Sequence, residues 1–375
     1  MYTSKIIKKD ETMHPGISGG KFAEFQDAVI VFDLGGTYFR SGLYLAYEGL
    51  SEIRQQPAFS FHSAPNKSIA DLKQDLVDYL VKTALYYSHR FNTNQVSISL
   101  GAALNGRNGI VYGSGPLWGN DNSSFDLLTL LRQAASELTW HIVNDVTAGL
   151  IHYGNNLQDT DIRKVLLLTI STGVACRLLD TRNQHIALDE FGLQGEIGHL
   201  PINLCFEGQA LELGCDCGGR NHVAAFASGR GLRALSKLLA ECKPVWWQSS
   251  KLAALQSHGL TFETALYQAL EHNDEFANTL LYLTTQPIAE ILRNALTLDP
   301  EIDRIVLTGG VVVNLSTYYR IFLTRHLSEQ GIYLSSRFDP AFFERRLAIA
   351  SSAEVNNLMG AALYATTYSK REYYA

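Results

Sequence analysis

A carboxylate followed by two glycines at the end of an apolar run is suited to phosphate chemistry. Here the run from 28 to 32 leads into Asp33, Gly35, Gly36 and Thr37. A strand-end carboxylate can organise a metal ion, and glycines let a turn approach phosphate oxygens closely. Thr37 adds a hydroxyl donor and Arg40 a positive charge. The same residues would also build an ordinary hairpin, because Gly42, Leu43, Tyr44 and Leu45 continue as a second apolar run. Asn144 and Asp145 form a second candidate pair, between the short strand expected over 141–143 and a helical Ala/Gly segment. Asp145 suits either a helix cap or a general base that takes a proton from a substrate hydroxyl. Asn144 would orient that hydroxyl.

Glu196 and His199 make a third polar knot. The carboxylate can accept from a pair of vicinal hydroxyls, and the imidazole can donate from one ring nitrogen while the other serves a metal or carbonyl. A structural histidine beside Pro201 is the plainer alternative. Cys215, Cys217 and His222 follow, with Gly218 and Gly219 between them. Thiolates two apart on a glycine knuckle, with an imidazole, are good zinc ligands, and His199 would complete four N/S donors. Such a closed set would be structural, whereas without metal these are two free thiols in a loop.

These side chains need strands and helices to present them. Helical spacing of apolar residues predicts a helix over 69–87, and alternation over 96–100 predicts a strand ending at Gly101. A second helix is expected over 125–138. The pattern then restarts with a strand over 164–170, a turn at Ser171, Thr172 and Gly173, and a returning strand over 174–179. A helix-rich block (223–296), a strand over 304–308, Gly309 and Gly310, and a closing helix over 353–367 complete the chain. Strand–turn–strand thus occurs once in each half, which fits two α/β domains facing each other across a cleft. The expected division is a loose tail over 1–24, one domain over 25–141 and a second over 142–352, with the helix at 353–368 packing back on the first.

The 375 residues, 46% hydrophobic and 18% charged, describe an ordinary globular protein with ample length for large cores. A net charge of −6 argues against a nucleic-acid partner, and no apolar run approaches the ~20 residues needed to span a bilayer. Five cysteines are an odd, sparse set for a disulfide framework, so a reduced, cytoplasmic setting is expected.

Together the motifs resemble the ROK family of sugar kinases and sugar-responsive repressors, over roughly residues 28–368. Asp33-Leu-Gly-Gly-Thr37 is similar to its first phosphate motif, Asn144-Asp145 to its catalytic pair, and Glu196 with His199 to its sugar clamp. The cysteine knuckle resembles its zinc loop, and Leu307-Thr-Gly-Gly310 its nucleotide-side glycine pair. The resemblance implies an actin-like, ribonuclease-H-like fold that binds ATP, Mg²⁺ and a sugar or cyclitol, carries structural zinc, and allows a homodimer. It implies Asp145 as base and Thr172, Gly173, Gly309 and Gly310 around the nucleotide. The second phosphate motif departs from the family, reading Ser171-Thr-Gly-Val-Ala-Cys-Arg177, and His222 stands where the family has a third cysteine. Gly115 to Asn120 occupies the place of the sugar-contacting loop, with Asn120 as a candidate contact. That loop and the Asn144-Asp145 segment are closer to a subgroup acting on C7-cyclitols of the valiolone type, although glucose is the default acceptor and an N-acylhexosamine a further option. A sugar-sensing regulator is the rival class. Only 32 residues precede Asp33, too few for the DNA-reading module such regulators carry.

Overall fold

The computed structural model describes residues 28–121 and 123–368, and the tail expected over 1–24 lies outside them. Ala28–Leu34 (β1) is buried at every position, as a central strand covered on both faces must be. Tyr38–Leu45 (β2) returns antiparallel to it, with Arg40 opposite Asp33. Gly49–Pro57 (β3) forms a largely exposed edge, and its polar run left no strand signal in the sequence. Gln95–Leu100 (β4) lies parallel to β1, and Thr139–Asn144 (β5) parallel to β4. The order is therefore β3-β2-β1-β4-β5. Residue 141, the expected division between halves, falls inside β5 and so within the first sheet.

The second half repeats the plan. Lys164–Ile170 (β6), Val174–Asp180 (β7) and His185–Ile186 (β8) are antiparallel neighbours. Ile302–Thr308 (β9) and Leu347–Ile349 (β10) extend the sheet from β6 in parallel. Its order is β8-β7-β6-β9-β10, with the same succession of antiparallel and parallel pairs as the first sheet.

Helices cover both sheets. Ile69–Phe91 (α1) begins in a capping box between Ser68 and Asp71 and buries Leu72, Leu76, Leu80 and Tyr87 against the first sheet. Asp145–Asn155 (α2) follows β5 without a loop. Gly229–Cys242 (α3) and Glu275–Leu298 (α4) belong to the helical block over the second sheet. Asn357–Leu363 (α5) packs Leu358 and Ala362 onto Val29 and Val31 of β1. It also crosses α2 at backbone distance, since a Cβ on Gly360 would overlap the Ala148 carbonyl.

Two helices are shorter than expected. The one expected over 125–138 covers only Leu127–Ala134, because the Asp126 side chain caps Thr129 N. The closing helix starts at Asn357, where Asn356 caps Met359 N, and its last turn widens into a π-helix over Tyr364–Tyr368. Among the described residues no helix is long and apolar enough to cross a membrane.

Candidate active site

The site begins where β5 runs straight into α2. Asn144, not Asp145, is the helix N-cap, and its side chain accepts from Val146 N and Thr147 N. Its amide nitrogen donates to Ala102 O at 3.0 Å. Both ends of Asn144 are thus engaged with backbone, so in this structure it fixes the helix start instead of presenting a free amide to a hydroxyl. Asp145 is left in the first turn, with one carboxylate oxygen accepting from Val146 N at 2.9 Å. The other faces Gly101, where a Cβ would sit 3.2 Å away. Enclosure in the cleft, reinforced by the nearby Asp33 charge, pushes the Asp145 carboxyl up to about 6. A carboxylate so poised is a stronger base than an ordinary one, and its edge still reaches the cavity.

Asp33 is occupied differently from the expectation. Arg40 pairs with its Oδ2, while Ser99 Oγ and Asn357 Nδ2 donate to Oδ1 at 3.3 and 3.1 Å. A carboxylate has about four acceptor positions, so Asp33 is saturated. Arg40 is spent on the same pair.

Glu196 lies at the entry of a short 3-10 turn, Ile197–His199. Its segment is pinned to β7: Cys176 N donates to Gly195 O at 2.8 Å, and a Cβ at Gly195, whose φ is +72°, would overlap the Cys176 carbonyl. Behind it stands the buried Arg177, which donates to Thr147 Oγ1 at 3.2 Å and Cys176 O at 2.7 Å. Its Nη2 approaches Glu196 Oε1 at 3.9 Å. Desolvation, partly offset by Arg177 and reinforced by Asp145 and Asp189, pushes the Glu196 carboxyl up to about 7.

His199, Cys215, Cys217 and His222 each offer a ligand atom, all within 4.8 Å of one another. The knuckle is shaped by Cys215 N donating to Gly219 O, Gly218 N to Cys215 O, and the positive φ of Gly218. Burial pushes the Cys215 thiol up to about 11, so it stays neutral unless a cation takes its proton's place. This donor set fits a tetrahedral zinc.

A cavity of about 670 Å³ opens between the two halves. Asp145, Glu196, His199, Thr172, Gly173 and Arg230 are among its walls. A second cavity of about 540 Å³ adjoins it and is lined by Thr172, Gly310, Phe262 and Tyr267 among others. Gly309 lines neither: its φ is +95° and a Cβ there would overlap the Ile170 backbone, so it serves the close approach of β9 to β6. Gly35, Gly36 and Thr37 also stand outside both cavities. Thr37 is exposed, and Gly36 lies against Pro116, a cavity wall, with no room for a Cβ. Asn120 lines neither cavity. It is exposed beside Gly218 of the knuckle, whereas Gly113 to Pro116 of the same loop line the cavity. The left-handed turn at Gly119 (φ +65°) carries the chain away from the wall. Sequence reading missed Ser114, Arg230 and Asn357 and gave Arg177 no role. Arg177 was read only as the end of the divergent second phosphate motif, the other three have no local motif, and only the Gly-Pro step beside Ser114 hinted at a turn.

A search with protein-family models matches the ROK family over residues 29–367. A 2-epi-5-epi-valiolone 7-kinase of an Actinoplanes species is 40% identical over 337 residues, 90% of this chain and 92% of that one. A C(7)-cyclitol 7-kinase of Streptomyces hygroscopicus subsp. limoneus is 25% identical over 81% of this chain and 85% of that protein. The crystal structure of a ROK family glucokinase from Streptomyces griseus, with glucose and AMPPNP, superposes with a TM-score of 0.66 at 18% identity. That alignment covers 90% of this chain and 99% of the other, and it shows the shared actin-like fold. With the family model spanning nearly all of its described length, the chain belongs to the ROK family.

Proposed function

We propose that this chain is an ATP-dependent kinase that phosphorylates a primary hydroxyl of a sugar-like polyol, with a C7-cyclitol of the valiolone type as acceptor. The observation that carries the reading is the convergence of Asp145, Glu196 and Thr172 on one cavity that adjoins a second, less polar one. The acceptor belongs in the larger cavity and ATP in the other, with its phosphates toward Thr172 and Gly173. The 40% identity to a valiolone 7-kinase favours a cyclitol over glucose.

In this mechanism Asp145 takes the hydroxyl proton as the acceptor oxygen bonds to the γ-phosphorus. The bond from that phosphorus to the β,γ-bridging oxygen breaks, and its electron pair leaves with ADP. The products are a phosphate monoester, ADP and the proton on Asp145, which passes to solvent. Mg²⁺ would arrive with ATP and, when bound, would supply neutralisation of phosphate charge. Asp33, saturated by Arg40, Ser99 and Asn357, holds the strand end and raises the basicity of Asp145 through its charge. Glu196 accepts from acceptor hydroxyls, and Arg177 holds that carboxylate in place. Zinc on His199, Cys215, Cys217 and His222 would fix the wall that presents His199.

A coupled ADP-release assay across a valiolone-type cyclitol, glucose, mannose and N-acetylhexosamines tests this. The cyclitol is expected to exceed every hexose in kcat/KM by at least tenfold. A hexose preference would overturn the acceptor assignment, and no turnover with any acceptor would overturn the kinase reading.

A further inference from the structure

Among the described residues, Ser171, Thr172 and Arg230 line both cavities, and Arg230 is the charged one of the three. It stands at the start of α3, which is stitched to the 171–173 turn by Gly229 N donating to Ser171 O at 2.7 Å. Its guanidinium is held from two sides. Nη1 lies 2.7 Å from Asp216 Oδ2 and 2.6 Å from His62 Nε2. Asp216 sits between Cys215 and Cys217, and His62 comes from the first half of the chain. The Nε–H, by contrast, is buried and has no partner. An unpaired donor enclosed on a permanent cation is costly, and a small shift of the side chain, which already lines both cavities, would let an anionic oxygen at the junction satisfy it.

We propose that Arg230 is a catalytic residue that contacts the transferring phosphoryl group where the two cavities meet. The inference rests on the assignment of acceptor and ATP to those cavities. As the acceptor oxygen bonds to phosphorus and the bond to the ADP oxygen breaks, charge on the equatorial and bridging oxygens shifts. A planar guanidinium placed at the junction can follow that charge through more than one N–H, which a lysine ammonium does less well. Asp216 and His62 keep the side chain aimed before ATP arrives. The knuckle thus reaches the phosphoryl site through Asp216, a link distinct from His199 on the acceptor side.

Arg230→Met and Arg230→Lys test this in two independent assays. In steady-state kinetics, Arg230→Met should lower kcat by about 10²–10³-fold and leave the acceptor KM within threefold, with Arg230→Lys intermediate. In calorimetric titrations without acceptor, Arg230→Met should weaken ATP by about tenfold and leave AMP unchanged, since AMP lacks the phosphates concerned. A kcat within threefold of wild type, or equal weakening of ATP and AMP, would overturn the proposal. The titrations need no acceptor, so the ATP-against-AMP split stands or falls even if wild type turns over none of the tested polyols. Circular dichroism and zinc content matching wild type guard against a folding defect, and Arg230→Lys keeps the test alive if the methionine variant is unstable.

Discussion

The two sheets share one strand order, yet their first hairpin turns do opposite things. In the first half the turn after β1 lies outside both cavities. Asp33 at its base is saturated, and Gly36 is pressed on Pro116. In the second half, the turn after β6 has no carboxylate at the matching strand end, and Thr172 and Gly173 stand open to the large cavity. The last strands differ as well. β5 passes directly into α2 and places Asp145 at the cleft, whereas after β10 six residues intervene before Asn356 caps α5. A duplicated frame therefore supplies equivalent strand ends, and the side chains at those ends divide the labour. On the function proposed above, one half brings the base and the other the clamp and the open turn.

If that division is right, the largest effect comes from the first half's strand end. Asp145→Asn should lower kcat by about 10²–10⁴-fold and leave the acceptor KM within a few-fold. A variant retaining a tenth of wild-type kcat would remove Asp145 as the base. The wild-type pH profile sharpens the same point. A base must be ionised to act, so kcat/KM should rise with pH through an acid limb at apparent values between about 6 and 7. Both carboxyls lie in this range, and the Asp145 charge helps to raise Glu196, so the limb reports the two together. A limb near 4 would mean that neither carboxyl is perturbed.

Next in size is the second half's clamp. Glu196→Gln should raise the acceptor KM by roughly 10–100-fold, as expected for losing a charge-assisted bond of about 1.5–3 kcal/mol, and barely alter the ATP KM. Arg177→Met should shift the same constant in the same direction by less. A weakened ATP KM with an unchanged acceptor KM would mean that the two substrates occupy the opposite cavities.

Among the described residues, the four-donor knuckle occurs in the second half alone. Elemental analysis of protein purified without added metal should find about one zinc per chain, and prolonged chelation should lower the melting temperature by several degrees. Active protein with a zinc content near zero would reduce the four ligands to loop residues.

The smallest effect separates two adjacent glycines. Gly309→Ala places a side chain at φ +95° against the Ile170 backbone and should cost about 2 kcal/mol or more. Gly310→Ala meets nothing within 4 Å and should stay within about 0.5 kcal/mol by chemical denaturation. Equal costs would mean that the turn after β9 is not held at backbone distance.

Several elements were legible because their signals are local. The run over β6 reads as a buried strand, the apolar spacing over 69–87 as a helix, and the Cys-X-Cys step as a knuckle. β3 was not legible, since a solvent-facing edge strand needs no apolar alternation. The end of the second helix was missed for a similar reason: apolar residues continue past Ala134 as loop contacts with the core, including Ala135 and Leu138. At the site, Asp145, Glu196 and the four knuckle ligands could be named from type and spacing. Asn357, Arg177 and Arg230 could not. Asn357 reaches Asp33 across 324 positions, and no motif records such a pair.

The sequence by itself determined which residues could do chemistry and in what order the strands and turns carrying them would come. Periodicity, caps and glycine turns act over a few residues, so they can be read without a fold. Only the tertiary structure decided that Asn144 caps while Asp145 faces the cleft, that Asp33 is saturated, and that Arg177 and Arg230 stand beside the clamp and the cavity junction. Carboxyl basicity belongs to that second class as well. It depends on how much water the neighbours exclude and on which charges they bring near, and those neighbours are assembled from both halves of the chain.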